Sequence, residues 1–271
     1  MPHVFSDGCR IRYESFGSGP SLVMLNYACM SIDGWNPDLL TVLSTSRRLV
    51  LVEHRGTGLS EDGAHDYDTD VLAADACSVL DDLDLDASDL LGAGLGAAVA
   101  QALALNTPMR VKRVVLIAAS CGPLVAAPSK PEVWQSLNWK FEGDRDANIQ
   151  RALPAYFSPS YIAETGASLA ERIKPGLSKL SPQTLRRHIR ALQNFDSYDR
   201  LPTLEAPVLV VHGEDDAIYP SINAHLLADR LPDGRVVIIP DAGHAVTSER
   251  PEEVAKQVLS FLDSKGLEGD V

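Results

Sequence analysis

One of the chain's seven histidines, His244, follows an apolar run and a glycine in Ile239-Pro240-Asp241-Ala242-Gly243-His244, where a loop leaving a strand would present an imidazole. A second apolar run, Val208 to Gly213, leads into the acidic stretch Glu214-Asp215-Asp216. A carboxylate held against one ring nitrogen fixes the tautomer of an imidazole and leaves the other nitrogen a base near neutral pH. A third stretch, Asp89 to Val99, passes from apolar residues through a glycine cluster into small residues at helical spacing, and reads as strand, sharp turn and helix. Gly92 and Gly96 have the spacing of a nucleophile elbow, G-x-S-x-G, in which a strained turn lifts a hydroxyl clear of the strand and helix. The central residue here is Gly94, and its neighbours Ala93 and Leu95 are equally inert.

These stretches come in the order elbow, acid, histidine. Glu53-His54-Arg55-Gly56-Thr57-Gly58-Leu59-Ser60 precedes them and Glu249-Arg250-Pro251-Glu252-Glu253-Val254 follows the histidine. Over nearly the whole chain the set resembles the α/β-hydrolase fold family, with its esterases and lactonases, but with glycine at the nucleophile position. The resemblance implies an α/β architecture: a mostly parallel eight-stranded sheet with helices on both faces and a helical cap. It makes Asp216 the acid, with Asp215 as the alternative, and His244 the base. Gly94 stands in the nucleophile's place, and the N–H groups of Ala28 and Leu95 become the oxyanion donors. Where many members have His-Gly, this chain has Asn26-Tyr27, which should border the substrate. Tyr27 either puts a phenol into the pocket or packs under the cap. His54 and His212, at strand ends, are distant runners-up to His244, whereas His3, His65, His188 and His225 fall in ordinary surface contexts.

The elements that must position these groups are legible. Ser21–Leu25, Arg48–Glu53, Arg113–Ala118 and Pro207–Val211 are continuous apolar runs of the kind that doubly covered parallel strands need. Strands near Pro2–Phe5 and Arg10–Ser15 come first, the second alternating as an edge with one wet face. A helix beyond Asp70 puts Leu72, Ala76, Val79, Leu80 and Leu83 on one stripe, and the last helix, stopped by Gly266, does the same with Val254, Val258, Phe261 and Leu262. The expected division is 1–121 and 201–271 as core and 122–200 as a cap insertion. The cap's aromatics would form its own core and line an apolar pocket roof.

With 45% hydrophobic residues in 271, the chain can bury one sizeable core. A net charge of −13 argues against a nucleic-acid partner, because displacing counterions from phosphates needs a basic face. No apolar run reaches membrane-span length and the start lacks a leader pattern, so a cytoplasmic protein is expected. Four scattered cysteines lack metal-ligand spacing, and the carboxylates at 61–70 and 81–86 read as solvated faces. No metal and no cofactor is expected; the partner is a small-molecule substrate, with a homodimer left open.

Three readings follow. The first is a cofactor-free enzyme in which the His244–Asp216 pair takes a proton from substrate or water, as a lyase, isomerase, cyclase or direct hydrolase of a partly apolar carbonyl, ester or lactone. The second is an ordinary serine esterase or lactonase inactivated by substitution at position 94. The third is a non-catalytic ligand-binding member of the fold.

Overall fold

The computed structural model describes residues 2–177 and 179–264. Among them are eight strands: β1 His3–Ser6, β2 Cys9–Gly17, β3 Ser21–Leu25, β4 Arg48–Val52, β5 Ser88–Ala93, β6 Val111–Ile117, β7 Val208–Gly213 and β8 Gly234–Ile239. They form one sheet in the order β1-β2-β4-β3-β5-β6-β7-β8, antiparallel at β1/β2 and β2/β4 and parallel elsewhere. This is the expected mostly parallel sheet of eight strands.

The helices are α1 Pro37–Ser44, α2 Thr69–Asp82, α3 Leu95–Asn106, α4 Pro131–Ser136, α5 Arg145–Tyr156, α6 Pro159–Thr165, α7 Ser168–Ile173, α8 Pro182–Asn194, α9 Ile222–Ala228, α10 Val246–Glu249 and α11 Pro251–Asp263. Period-two alternation divides each inner strand between two cores. Val23 and Leu25 of β3, Leu90 of β5 and Val210 of β7 face a core shared with α2, α3 and α9. Leu22, Met24, Leu91 and Val211 face the other, with Leu39 and Leu43 of α1 and Val254 and Val258 of α11.

Between β6 and β7 the chain forms the helical cap, α4 to α8, with no strand among its described residues. Ile149, Leu153, Phe157, Tyr161 and Leu169 make a separate small core there, which reaches Ala245 beside the expected base. The stop expected at Gly266 lies outside the described residues. The wet face expected of β2 is interrupted: Arg12 is buried, because its guanidinium pairs at 3.0 Å with Glu53, itself buried at the end of β4.

Candidate active site

β3 lies between β4 and β5, so successive crossovers leave it in opposite directions and open a crevice at the carboxyl ends of the strands. The register pairs Leu25 with Gly92, which sets the loop after β3 beside the turn after β5. Gly96 N–H donates to Asn26 O at 3.0 Å and ties the two together. That approach demands glycine: a Cβ at residue 96 would lie 2.0 Å from Leu25 O, and one at residue 92 would lie 2.1 Å from Gly96 O. Gly94 itself has φ 55° and ψ −112°, the strained elbow backbone that only glycine adopts without cost.

Asp216 and His244 meet across the ends of β7 and β8. Asp216 Oδ1 accepts from the N–H groups of Ile218 (2.9 Å) and Tyr219 (2.8 Å), and Oδ2 lies 2.9 Å from His244 Nδ1. Both residues are only 4% exposed. A carboxylate only accepts, so Nδ1 carries the proton and Nε2 is left basic. Asp215, the alternative acid, is exposed.

The loop between His244 and the end of α10 is tied to the cap. Gly243 N–H donates to Glu249 Oε1 at 2.8 Å, Ser158 Oγ donates to Glu249 Oε2 at 2.5 Å, and Ala245 N–H donates to Tyr156 O at 2.7 Å. Burial raises the Glu249 carboxyl above its ordinary range, against which the Gly243 and Ser158 donors work.

Three tyrosine rings surround the imidazole: Tyr27 at 5.3 Å, Tyr219 at 5.6 Å and Tyr156 at 5.7 Å between centroids. Tyr27 lies against Gly94, since a Cβ there would stand 2.7 Å from Tyr27 Cδ1, and its hydroxyl donates to His244 O at 3.0 Å. The ring therefore fills the space beside Gly94, while its phenol is spent on the histidine's own backbone. Of the cap aromatics, Tyr156 faces the imidazole, whereas Phe157 and Tyr161 stack on each other in the cap core.

Asn26 departs from its expected place at the substrate. It is 2% exposed and its amide is used inward, donating to Ser31 O (2.9 Å) and accepting from Tyr27 N–H (2.8 Å), so it shapes the loop. The N–H groups of Ala28 and Leu95 have no partner among the described residues, and Leu95 is the first residue of α3, where an N–H has no acceptor within the helix.

His188 corrects a second expectation. It is fully buried rather than a surface residue, with Nδ1 2.9 Å from Cys29 N and Nε2 2.9 Å from Arg55 O, and burial pushes it down to about 3. His212 is also fully buried; its Nε2 lies 3.9 Å from Asp216 Oδ2, and neither ring nitrogen has a hydrogen-bond partner among the described residues.

Residues 23–257 match the model of the alpha/beta hydrolase family. A non-heme haloperoxidase of Rhodococcus erythropolis is 30% identical over 97% of this chain and 100% of its own length. A 2-hydroxymuconate semialdehyde hydrolase of Pseudomonas sp. strain CF600 is 28% identical over 96% and 92%. Among solved structures, Est816, described as an N-acyl homoserine lactone degrading enzyme, superposes with TM-score 0.79 at 27% identity, over 96% of this chain and 100% of that one. With a sheet, a cap and an elbow–acid–histidine order that its model spans, the chain belongs to the alpha/beta hydrolase family.

Proposed function

We propose that this protein hydrolyses a small, partly apolar ester or lactone with His244 as general base on water, Asp216 fixing the tautomer, and the N–H groups of Ala28 and Leu95 receiving the oxyanion. The carrying observation is the packing of Tyr27 against Gly94 beside an intact imidazole–carboxylate pair. In this scheme His244 Nε2 takes a proton from water as the water oxygen bonds to the acyl carbon. The carbonyl π electrons move to the oxygen held by the two N–H groups. Collapse of that intermediate breaks the C–O bond, and the imidazolium returns the proton to the departing alkoxide. No acyl group is ever bonded to residue 94. Tyr27, Tyr156 and Tyr219 give the imidazole an apolar wall, which supports a substrate with apolar bulk.

A second reading, the one that the esterase and lactonase relatives favour, has the backbone at Gly94 in its support as well. The φ of 55° and ψ of −112° at Gly94 are costly for any other residue, and a nucleophile is what the turn serves in G-x-S-x-G, so a serine esterase or lactonase inactivated at position 94 would retain this backbone. A panel of small activated esters and lactones, assayed with the parent, H244A and G94S, separates the two. Water chemistry requires parent turnover that H244A abolishes; the serine reading requires an inert parent and an active G94S.

A further inference from the structure

The loop after β3 has its backbone donors assigned one by one. Tyr27 N–H goes to its neighbour's Asn26 Oδ1 at 2.8 Å and Met30 N–H to Tyr27 O at 3.2 Å. Two others reach into the cap: Cys29 N–H donates to His188 Nδ1 at 2.9 Å, and Ser31 N–H donates to Gly176 O at 2.8 Å. Ala28, between Tyr27 and Cys29, keeps its N–H without a partner among the described residues. Cys29 has φ 64°, a left-handed backbone that a non-glycine residue holds only when its surroundings impose it.

Two contacts hold it: the Met30 N–H to Tyr27 O bond closes a turn with Cys29 at its third position, where a positive φ belongs, and α8 pins the Cys29 N–H. This helix lies across the loop after β4, where Thr184 Oγ1 donates to Gly56 O at 3.2 Å and Arg187 donates to Asp62 O at 2.9 Å and Gly63 O at 3.1 Å. His188, one residue on, turns to the other loop. Because Cys29 N–H can only donate, Nδ1 is the bare nitrogen; Nε2 carries the proton and donates to Arg55 O at 2.9 Å. Both bonds require the same neutral tautomer, so one ring joins the loops after β3 and β4 to the cap.

We infer that His188 is a positioning residue for the Ala28 N–H: its Nδ1 holds the Cys29 peptide in the left-handed turn that aims the preceding N–H at the oxyanion, so seating the cap and assembling the oxyanion site are one event. The inference rests on the role proposed above for Ala28. It makes α8 part of the catalytic apparatus without contact to substrate.

Two substitutions divide the ring's functions. In H188N the side-chain oxygen occupies the place of Nδ1 and can still accept from Cys29 N–H. In H188Q the amide reaches the place of Nε2 and can still donate to Arg55 O, but leaves Cys29 N–H unmet. Hydrogen exchange over residues 26–31 and over 92–98 reads the loop without any assay of activity, and p-nitrophenyl acetate hydrolysis reads the oxyanion site. H188Q should exchange roughly tenfold faster in 26–31 with 92–98 unchanged. Its kcat should fall about 10- to 100-fold with KM within about twofold of the parent. H188N should restore both readouts to within about threefold of the parent. Parental exchange in H188Q, or H188N failing alongside it, overturns the inference. So does a KM effect in place of a kcat effect. If the parent does not turn over the ester, the hydrolytic reading fails and the exchange comparison still decides the role of His188. If H188Q does not fold, H188N alone decides: it must fold with slow exchange in 26–31, and fast exchange there overturns the inference.

Discussion

Tyr27 and Gly94 are complementary: the Tyr27 ring edge stands where a Cβ on residue 94 would come within 2.7 Å of it. Both depart from the pattern that the family resemblance implies, one adding a ring where many members have glycine, the other removing a side chain. The two departures occupy the same space. Restoring a side chain at 94 therefore has two costs, the backbone strain at φ 55° and the displacement of Tyr27.

The first prediction is a double-mutant cycle in stability. G94S should lose about 1–3 kcal/mol in the Tyr27 background from strain and crowding. In Y27G the same substitution should cost less, with a coupling of about 1 kcal/mol or more. Urea unfolding of the four proteins measures it, and additive costs would show that the two residues do not compete.

The second concerns the acid. D216N removes the acceptor for His244 Nδ1–H and puts an amide against it, so turnover should fall about 10³- to 10⁴-fold, whereas D215N, at an exposed carboxylate, should be silent. Comparable losses in both would mean that the 2.9 Å contact does not set the tautomer.

How the sequence and structure relate is clearest at these positions. The interior strands were legible because Leu22–Leu25 of β3, Leu49–Val52 of β4 and Val208–Val211 of β7 are buried on both faces and apolar throughout. The elbow was legible because backbone contacts at Gly92 and Gly96 exclude any side chain. The contact of Tyr27 with Gly94 was not, since it joins residues 67 apart through the β3/β5 register. The burial of Arg12 depends on Glu53, 41 residues away. His188 hid behind polarity: Thr184, Arg187, His188 and Ala191 are the buried stripe of α8, spaced as any helix face, but three of the four are polar. Their hydrogen bonds to loop carbonyls and N–H groups make burial affordable, and a hydrophobic pattern does not reveal those partners.

The third prediction is a pH dependence of stability. Burial lowers His54 to about 4, His188 to about 3 and His212 to about 4, from an ordinary 6.5. The unfolded chain thus binds more protons than the folded one below about pH 6.5. The stabilisation is fully present above that pH and is lost as pH falls toward 4. Each imidazole contributes a slope near 1.4 kcal/mol per pH unit, so the three account for about 3–4 kcal/mol between pH 6 and 5. His212 makes no hydrogen bond among the described residues, so H212L should remove about one third of that slope at modest cost at pH 7. Urea unfolding at pH 7, 6 and 5 tests this, and an unchanged slope in H212L would contradict it.

The fourth concerns the bond between the cap and the histidine loop. E249A strands the Gly243 and Ser158 N–H groups and the Ser158 hydroxyl, and should cost about 2–4 kcal/mol. Because Gly243 precedes His244, kcat should fall more than the stability loss alone explains. The control is S158A, which removes the hydroxyl donor and its cap on the Tyr161 N–H of α6 but leaves the Gly243 bond intact; its kcat should stay near the parent's. Equal kcat in E249A and S158A would remove Glu249 from any part in placing the base.

The central claim, that His244 acts on water and residue 94 carries no acyl group, is tested most directly by rapid-mix turnover of an activated small ester or lactone with intact-protein mass measured in the same samples. The account predicts linear product release by the parent without a burst, no acyl adduct at any time, and loss of turnover in H244A. Parent turnover that survives H244A would contradict it, as would an inert parent alongside a G94S that shows a burst, an acyl adduct and a gain of orders of magnitude.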